Sequence, residues 1–79
     1  MIKEVHMPKL SPKSDQYFFG KWDKQPGDSV KTGDVLFEVE TEKAISQVES
    51  QEDGTLKAQK VATGDTTKVG DLVATIEVA

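Results

Sequence analysis

The sequence has no cysteine and a single histidine, His6. The first absence excludes a disulfide framework, a thiolate metal site and a thiol nucleophile. With one histidine and no paired catalytic constellation, the domain reads as a non-enzyme, and His6 as an ordinary strand residue. No stretch approaches the length of a membrane span. The start, Met1-Ile2-Lys3-Glu4-Val5-His6, lacks the apolar run of a signal peptide. A membrane partner is therefore not expected. Positive charge is in short supply: the net charge is −4 and the pI about 4.8. A nucleic-acid surface needs a basic face, so DNA and RNA are not expected partners either. Tyr17, Phe18, Phe19 and Trp22 lack the interleaved cations of a base-stacking platform and read as core packing. Helical periodicity is missing too, because Gly, Pro and Asp punctuate the chain too often. The 79 residues suffice for one small domain, which at this size buries roughly 60% of its unfolded surface.

What is present is a series of short strands. Residues 2–6 form the first, and 7–15 a loop in which Pro8 and Pro12 each restrict the residue before them. Residues 17–22 form an aromatic-rich strand. After a turn at 25–28 and a short extended piece at 29–31, a turn at 32–34 leads into the chain's central hairpin. Val35, Phe37 and Val39 there alternate with Leu36, Glu38 and Glu40, which predicts a strand with one buried face. Glu40, Thr41, Glu42 and Lys43 form a polar tip. It has no Gly or Asn for a primed turn, so a type I turn is expected. Ile45 and Val48 resume the apolar signal less regularly. Further strands are expected at 55–61, with Leu56 and Ala58 inward, at 66–68 and at 72–78.

The second half repeats the first. Residues 27–36 lie over residues 64–73 at an offset of 37, with Gly, Asp, Lys, Gly and Asp in register. Glu40 falls on Glu77, and strand 17–22 on 54–59. A fixed internal period is a strong architectural signal. Neither copy can bury a face alone, so two sheets packed face to face about a pseudo-twofold axis are expected. Gly27, Gly33, Gly64 and Gly70 suit turns needing positive φ, and the aspartates after them can accept main-chain hydrogen bonds. These acids sit in separate turns, unlike a calcium loop, so no metal is expected. The same offset carries Lys43 to position 80, or back to His6. That places the lysine tip opposite the meeting point of the termini, a geometry that suits a tethered carrier.

On these residues the chain resembles a lipoyl domain of the acyltransferase (E2) component of a 2-oxo acid dehydrogenase complex. The resemblance rests on Met7-Pro8-Lys9-Leu10-Ser11-Pro12, on Trp22, and on Gly27-Asp28-Ser29-Val30. It continues through residues 33–44, where Glu40-Thr41-Glu42-Lys43-Ala44 stands close to the family's Glu-Thr-Asp-Lys-Ala, and includes the second-half Gly turns. It covers nearly all of residues 1–79. It implies an all-β, flattened barrel of two four-stranded sheets, with lipoic acid joined as an amide to Lys43. Glu42 and Ala44 flank the lysine where biotin domains usually have methionine. One departure stands out: Gln16-Tyr17-Phe18 replaces the family's common Glu-Gly-Thr, putting a ring where the repeat partner Gly54 keeps glycine.

The resemblance further implies a set of partners. A lipoyl ligase or transferase would load Lys43, and a thiamine-diphosphate-dependent decarboxylase (E1) would reductively acylate the dithiolane. The acyltransferase core would pass the acyl group to coenzyme A, and the flavoprotein dihydrolipoamide dehydrogenase (E3) would reoxidise the dithiol. The recognition surface is expected to comprise Glu40, Thr41, Glu42 and Ala44 with Ser11, Pro12, Lys13, Ser14, Asp15 and Gln16. Glu38, Glu40, Glu42, Glu49 and Glu52 are expected to make that end acidic. The pyruvate complex is favoured over the 2-oxoglutarate, branched-chain or acetoin complexes. A biotin carrier and an unmodified interaction module are the rivals. The domain is expected to be excised from a longer chain, cytoplasmic in a bacterium or in the mitochondrial matrix of a eukaryote.

Overall fold

The computed structural model describes residues 1–79. The strands are β1 (Ile2–His6), β2 (Gln16–Trp22), β3 (Ser29–Val30), β4 (Val35–Glu40), β5 (Ile45–Glu49), β6 (Gly54–Gln59), β7 (Thr66–Lys68) and β8 (Leu72–Glu77). They form two four-stranded antiparallel sheets, ordered β1-β8-β6-β3 and β5-β4-β2-β7. Each sheet is the image of the other, so the expected all-β barrel and its twofold repeat are both present. The strand ends differ from the sequence reading by a residue or two. Between the sheets lie Phe19, Leu36, Phe37, Val39, Leu56, Val73 and Ile76, all fully buried. Phe19, Trp22 and Phe37 pack with ring centroids 5.0 to 5.5 Å apart, the two phenylalanines stacked and the indole tilted against one and edge-on to the other, and the indole N–H donates to the Val61 carbonyl at 3.0 Å.

Four turns repeat one construction. In 25–28, 31–34, 62–65 and 68–71 the third residue is a glycine with φ of +94° to +99°. The N–H of the closing aspartate donates to the carbonyl three residues back, at 2.9 to 3.0 Å. Its carboxylate in turn accepts that residue's N–H, at 2.8 to 2.9 Å. Positive φ at the third position with this hydrogen bond is the type II signature. Each aspartate is thus committed to its own turn.

Two expectations need correction. Strict alternation in β4 fails, because Leu36 and Phe37 are both buried while Val35 and Glu38 are half-buried. Leu36 is the extra residue of a bulge: Val35 pairs with Glu49 and Phe37 with Val48. A bulge re-aims one side chain and resets the face. Val73 sits in the matching bulge of β8. The aromatic cluster also splits, since Phe18, between inward Tyr17 and Phe19, faces outward and is 46% exposed.

Candidate functional site

The β4–β5 hairpin ends in a two-residue tip, Glu42-Lys43. Thr41 N–H donates to the Ala44 carbonyl at 2.9 Å. The Thr41 hydroxyl donates to the same carbonyl at 3.0 Å and accepts the N–H groups of Lys43 and Ala44 at 3.3 Å. No non-glycine residue has positive φ, which excludes a primed turn, as the sequence suggested. Threonine supplies locally the bonding that glycine would otherwise permit by conformation. Lys43 is exposed, and its ammonium has no hydrogen bond or ion pair. By contrast, Lys9, Lys21, Lys24 and Lys57 are held in ion pairs.

The symmetry mate of this tip is the junction of the termini. Val78 N–H donates to the Met1 carbonyl at 2.8 Å, as Thr41 does to Ala44. The mate of Lys43 is therefore not His6. His6 pairs with Leu72 and corresponds to Glu49, which pairs with Val35. A constant offset fails there because β5 follows β4 whereas β1 precedes β8 by the whole chain. The His6 ring bridges the Gly70 carbonyl and the Glu4 carboxylate at 2.9 and 3.0 Å. β1 carries the chain away from the termini, and the loop after it reaches the lysine tip.

That loop, residues 7–15, is built against the hairpin. The Ser11 hydroxyl donates to the Glu42 carboxylate. This bond, then the backbone N–H of Glu42, hold the carboxyl below its ordinary value, with Lys43 and Lys13 adding to the effect. Lys9 pairs with Asp15, and the Ser14 hydroxyl donates to the Gln16 carbonyl at 2.8 Å. Ser11 is buried, Thr41 and Ser14 are half-buried, and Pro12, Lys13, Asp15, Gln16, Glu40 and Ala44 are exposed. The structure thus brings Ser11, Glu42 and Lys43 together, with Gln16 further along at the start of β2, opposite Lys68.

The acidic end is smaller than expected. Glu49 lies at the far end of β5, about 13 Å from Ile45 at the strand rise. With Glu52, Glu4 and His6 it lines a groove of about 180 Å³ between β1 and β5. Glu38 is engaged with Lys21 at 3.6 Å. Its hydrogen bond with Asp23, then burial, hold it above its ordinary value. Glu40 and Glu42 remain at the tip, and the loop brings Lys9 and Lys13 beside them.

Two residues at the site were missed. Ile45 is 63% exposed and, with Phe18, flanks Glu40 across the outer face. Its parity was the available signal: three positions separate it from buried Val48, so the two point opposite ways. The other is Tyr17. Its ring is buried, and its hydroxyl accepts the N–H groups of Leu10 and Ser11 at 2.9 and 3.0 Å while donating to the Ser14 carbonyl at 2.9 Å.

Replacing Ser11 by Ala tests the loop-to-tip bond. The Glu42 pKa should rise toward the ordinary glutamate value in a pH titration followed by NMR. Because the folded-state pKa is depressed, the bond stabilises the fold above the unfolded-state pKa. That contribution is lost as pH falls through the folded value. The melting difference between wild type and Ser11→Ala should therefore close in acid; an unshifted Glu42 titration would contradict the bond.

Residues 3–76 match the family described as "Biotin-requiring enzyme", the biotin/lipoyl family. The chain belongs to this family. The pyruvate dehydrogenase E1 component subunit beta of Rhizobium meliloti is 42% identical over 81% of this chain and 14% of its own length. The succinyltransferase component of the Bacillus subtilis 2-oxoglutarate dehydrogenase complex is 36% identical over 95% of this chain and 18% of its own. The acetyltransferase component of the Rhizobium meliloti pyruvate dehydrogenase complex is 40% identical over 91% and 16%. The chain thus spans less than a fifth of these relatives. The lipoyl domain of the Azotobacter vinelandii 2-oxoglutarate dehydrogenase complex superposes with a TM-score of 0.77 at 24% identity, covering 95% of each chain. At that identity the likeness speaks to the fold alone. Kluyveromyces lactis urea carboxylase gives a TM-score of 0.83 at 25% identity, over 98% of this chain and 6% of that one. This biotin/lipoyl domain is accordingly a non-catalytic carrier domain, homologous to lipoyl domains of acyltransferase components.

Proposed function

We propose that the domain carries a lipoyl group and that Lys43 Nζ is its attachment atom. The observation that carries this reading is an exposed primary amine, free of side-chain partners, at the tip of a hairpin in a biotin/lipoyl fold. The deprotonated amine attacks an activated lipoate carboxyl; a C–N bond forms, the activating group departs with the electron pair, and nitrogen loses a proton. When bound, the group supplies a dithiolane that takes up an acyl unit with two electrons. The protein's share is display: the Thr41 hydroxyl holds the turn, and the arm extends on the order of 10–15 Å beyond it by bond lengths. Tethering then raises the encounter frequency with each partner, at effective concentrations often of mM order.

The partners follow from the same reading: a lipoyl ligase or transferase, a thiamine-diphosphate decarboxylase, an acyltransferase core and dihydrolipoamide dehydrogenase. Relatives from pyruvate and 2-oxoglutarate complexes both match; the opening Met7-Pro8-Lys9-Leu10-Ser11-Pro12 favours pyruvate. Glu42 and Ala44 beside Lys43 favour lipoate over biotin. Intact mass after incubation with lipoyl ligase, ATP and lipoate should show one lipoyl increment. A folded domain that stays unmodified there, or takes up biotin from a biotin ligase instead, sinks the proposal.

Salt sets a further test. Once Lys43 is acylated, Glu40, Glu42 and Asp15 outnumber Lys9 and Lys13 by one charge at this end. Such exposed charges are screened within about 10 Å at 0.1 M salt. Reductive acylation should therefore weaken only about two- to threefold between low salt and roughly 0.5 M. A tenfold loss would mean that distant acids steer the encounter.

A further inference from the structure

We propose that Tyr17 is a positioning residue for acylation, its hydroxyl joining the 7–15 loop and the Lys43 tip into one preformed surface. The proposal rests on the carrier reading and names a residue through which that site is organised. The Tyr17 hydroxyl meets three main-chain groups of the loop, at Leu10, Ser11 and Ser14. Its single proton goes to the Ser14 carbonyl and its lone pairs receive two N–H groups, which uses its full hydrogen-bonding capacity. Ser11, held at its N–H by Tyr17, bonds Glu42 with its hydroxyl. Glu42 is the immediate neighbour of Lys43. A continuous path therefore runs from the buried ring to the attachment residue: Tyr17, Ser11, Glu42, Lys43.

The fold does not call for a tyrosine here. In the other half of the internal repeat the same position is Gly54, where even a Cβ would lie 2.2 Å from the Glu77 carbonyl oxygen. That half has no lysine tip, since its β8 ends beside Met1, and its matching connection, between Glu49 and Gly54, is four residues long where the one between His6 and Gln16 is nine. The large side chain thus appears in the copy whose hairpin carries Lys43. The ring is 2% exposed, so it cannot itself meet a partner. It acts through the loop. A surface ordered before docking spares the ordering entropy that a mobile loop would lose on binding. The effect belongs to recognition of the domain, not to the chemistry of the arm.

Tyr17→Phe removes the hydroxyl and keeps the ring. Ser11→Ala keeps the hydroxyl and cuts the bond to Glu42. Amide hydrogen exchange on the 79-residue chain reads the clamp directly: in Tyr17→Phe, Leu10 and Ser11 should exchange about tenfold faster or more while a bonded core amide such as Leu56 stays protected. Steady-state acylation of the lipoylated domain by a thiamine-diphosphate decarboxylase reads the consequence. KM for the domain should rise roughly three- to tenfold with kcat unchanged, as expected when pre-organisation alone is lost. Tyr17→Phe and Ser11→Ala should be non-additive in KM, because both break one path. Unchanged exchange at Leu10 and Ser11, an unchanged KM, or a fall in kcat alone overturns the proposal. If wild type takes up no lipoyl group, the carrier reading fails and acylation positioning falls with it. Exchange at the two amides still decides whether the clamp exists.

Discussion

Lys43→Arg should abolish the lipoyl increment completely while leaving the domain folded. Arginine keeps the positive charge and a similar reach, but its guanidinium stays protonated and cannot serve as the acyl acceptor. Lys43 is exposed and its side chain contacts no acceptor, so the substitution belongs to the surface class that changes stability by about 0.5 kcal/mol or less. Loss of modification therefore cannot be charged to unfolding. The chain offers ten lysines, and four of them are tied in ion pairs. Intact mass spectrometry of both proteins after ligase treatment, with melting curves alongside, makes the comparison. An equal increment on the variant would move the attachment to another lysine and undo the reading of the hairpin tip.

Gly54→Ala should be the most damaging of the glycine substitutions for stability. A Cβ at Gly54 would lie 2.2 Å from the Glu77 carbonyl oxygen, 3.0 Å from its carbon and 3.1 Å from Ile76 Cγ2. The obstacle is backbone of β8, which is bonded to β1 on its other side, so it has no free direction in which to yield. Relief requires β6 and β8 to part where Thr55 meets Glu77. We expect a cost of roughly 3 kcal/mol or more, which at this size lowers the melting temperature by about 12–24 °C. Gly27→Ala is the contrast. Its φ of +96° strains any other residue, but nothing lies within 4 Å of the added atom, so about 1–2 kcal/mol is expected. Thermal unfolding followed by circular dichroism would rank the two. A Gly54→Ala protein melting within a few degrees of wild type would show that the sheet yields after all.

The repeat made the architecture readable in advance. The spacing of Gly27, Gly33, Gly64 and Gly70 announced four equivalent turns, and two copies of a strand pattern called for two facing sheets. The lysine tip was legible because Glu40 through Lys43 interrupts two apolar stretches. Other features were hidden for physical reasons. The bulge at Leu36 breaks a period of two without any marker residue, since leucine suits either face. The forward offset found the junction of the termini as the mate of the lysine tip, whereas the backward shift to His6 failed because a linear offset cannot follow a symmetry that closes through the chain ends. Glu49 and Glu52 were placed at the lysine end because sequence proximity ignores the length of β5. The Tyr17 clamp was visible only as a departure. What its hydroxyl meets depends on the path of a loop that proline and serine do not determine.

The sheet order has a consequence for behaviour at high concentration. An open strand edge is a template for pairing with another molecule, and proteins blunt such edges. Here β3 spans two residues and β7 three, too few to seed a ladder. The longer outer strands, β1 and β5, border the groove lined by Glu4, Glu49 and Glu52, so a strand arriving from a second copy would bring carboxylates against carboxylates. Copies held at high local concentration are therefore not expected to stitch their sheets together, and the lysine tip, with exposed Ile45 and Phe18 beside it, stays clear of its neighbours.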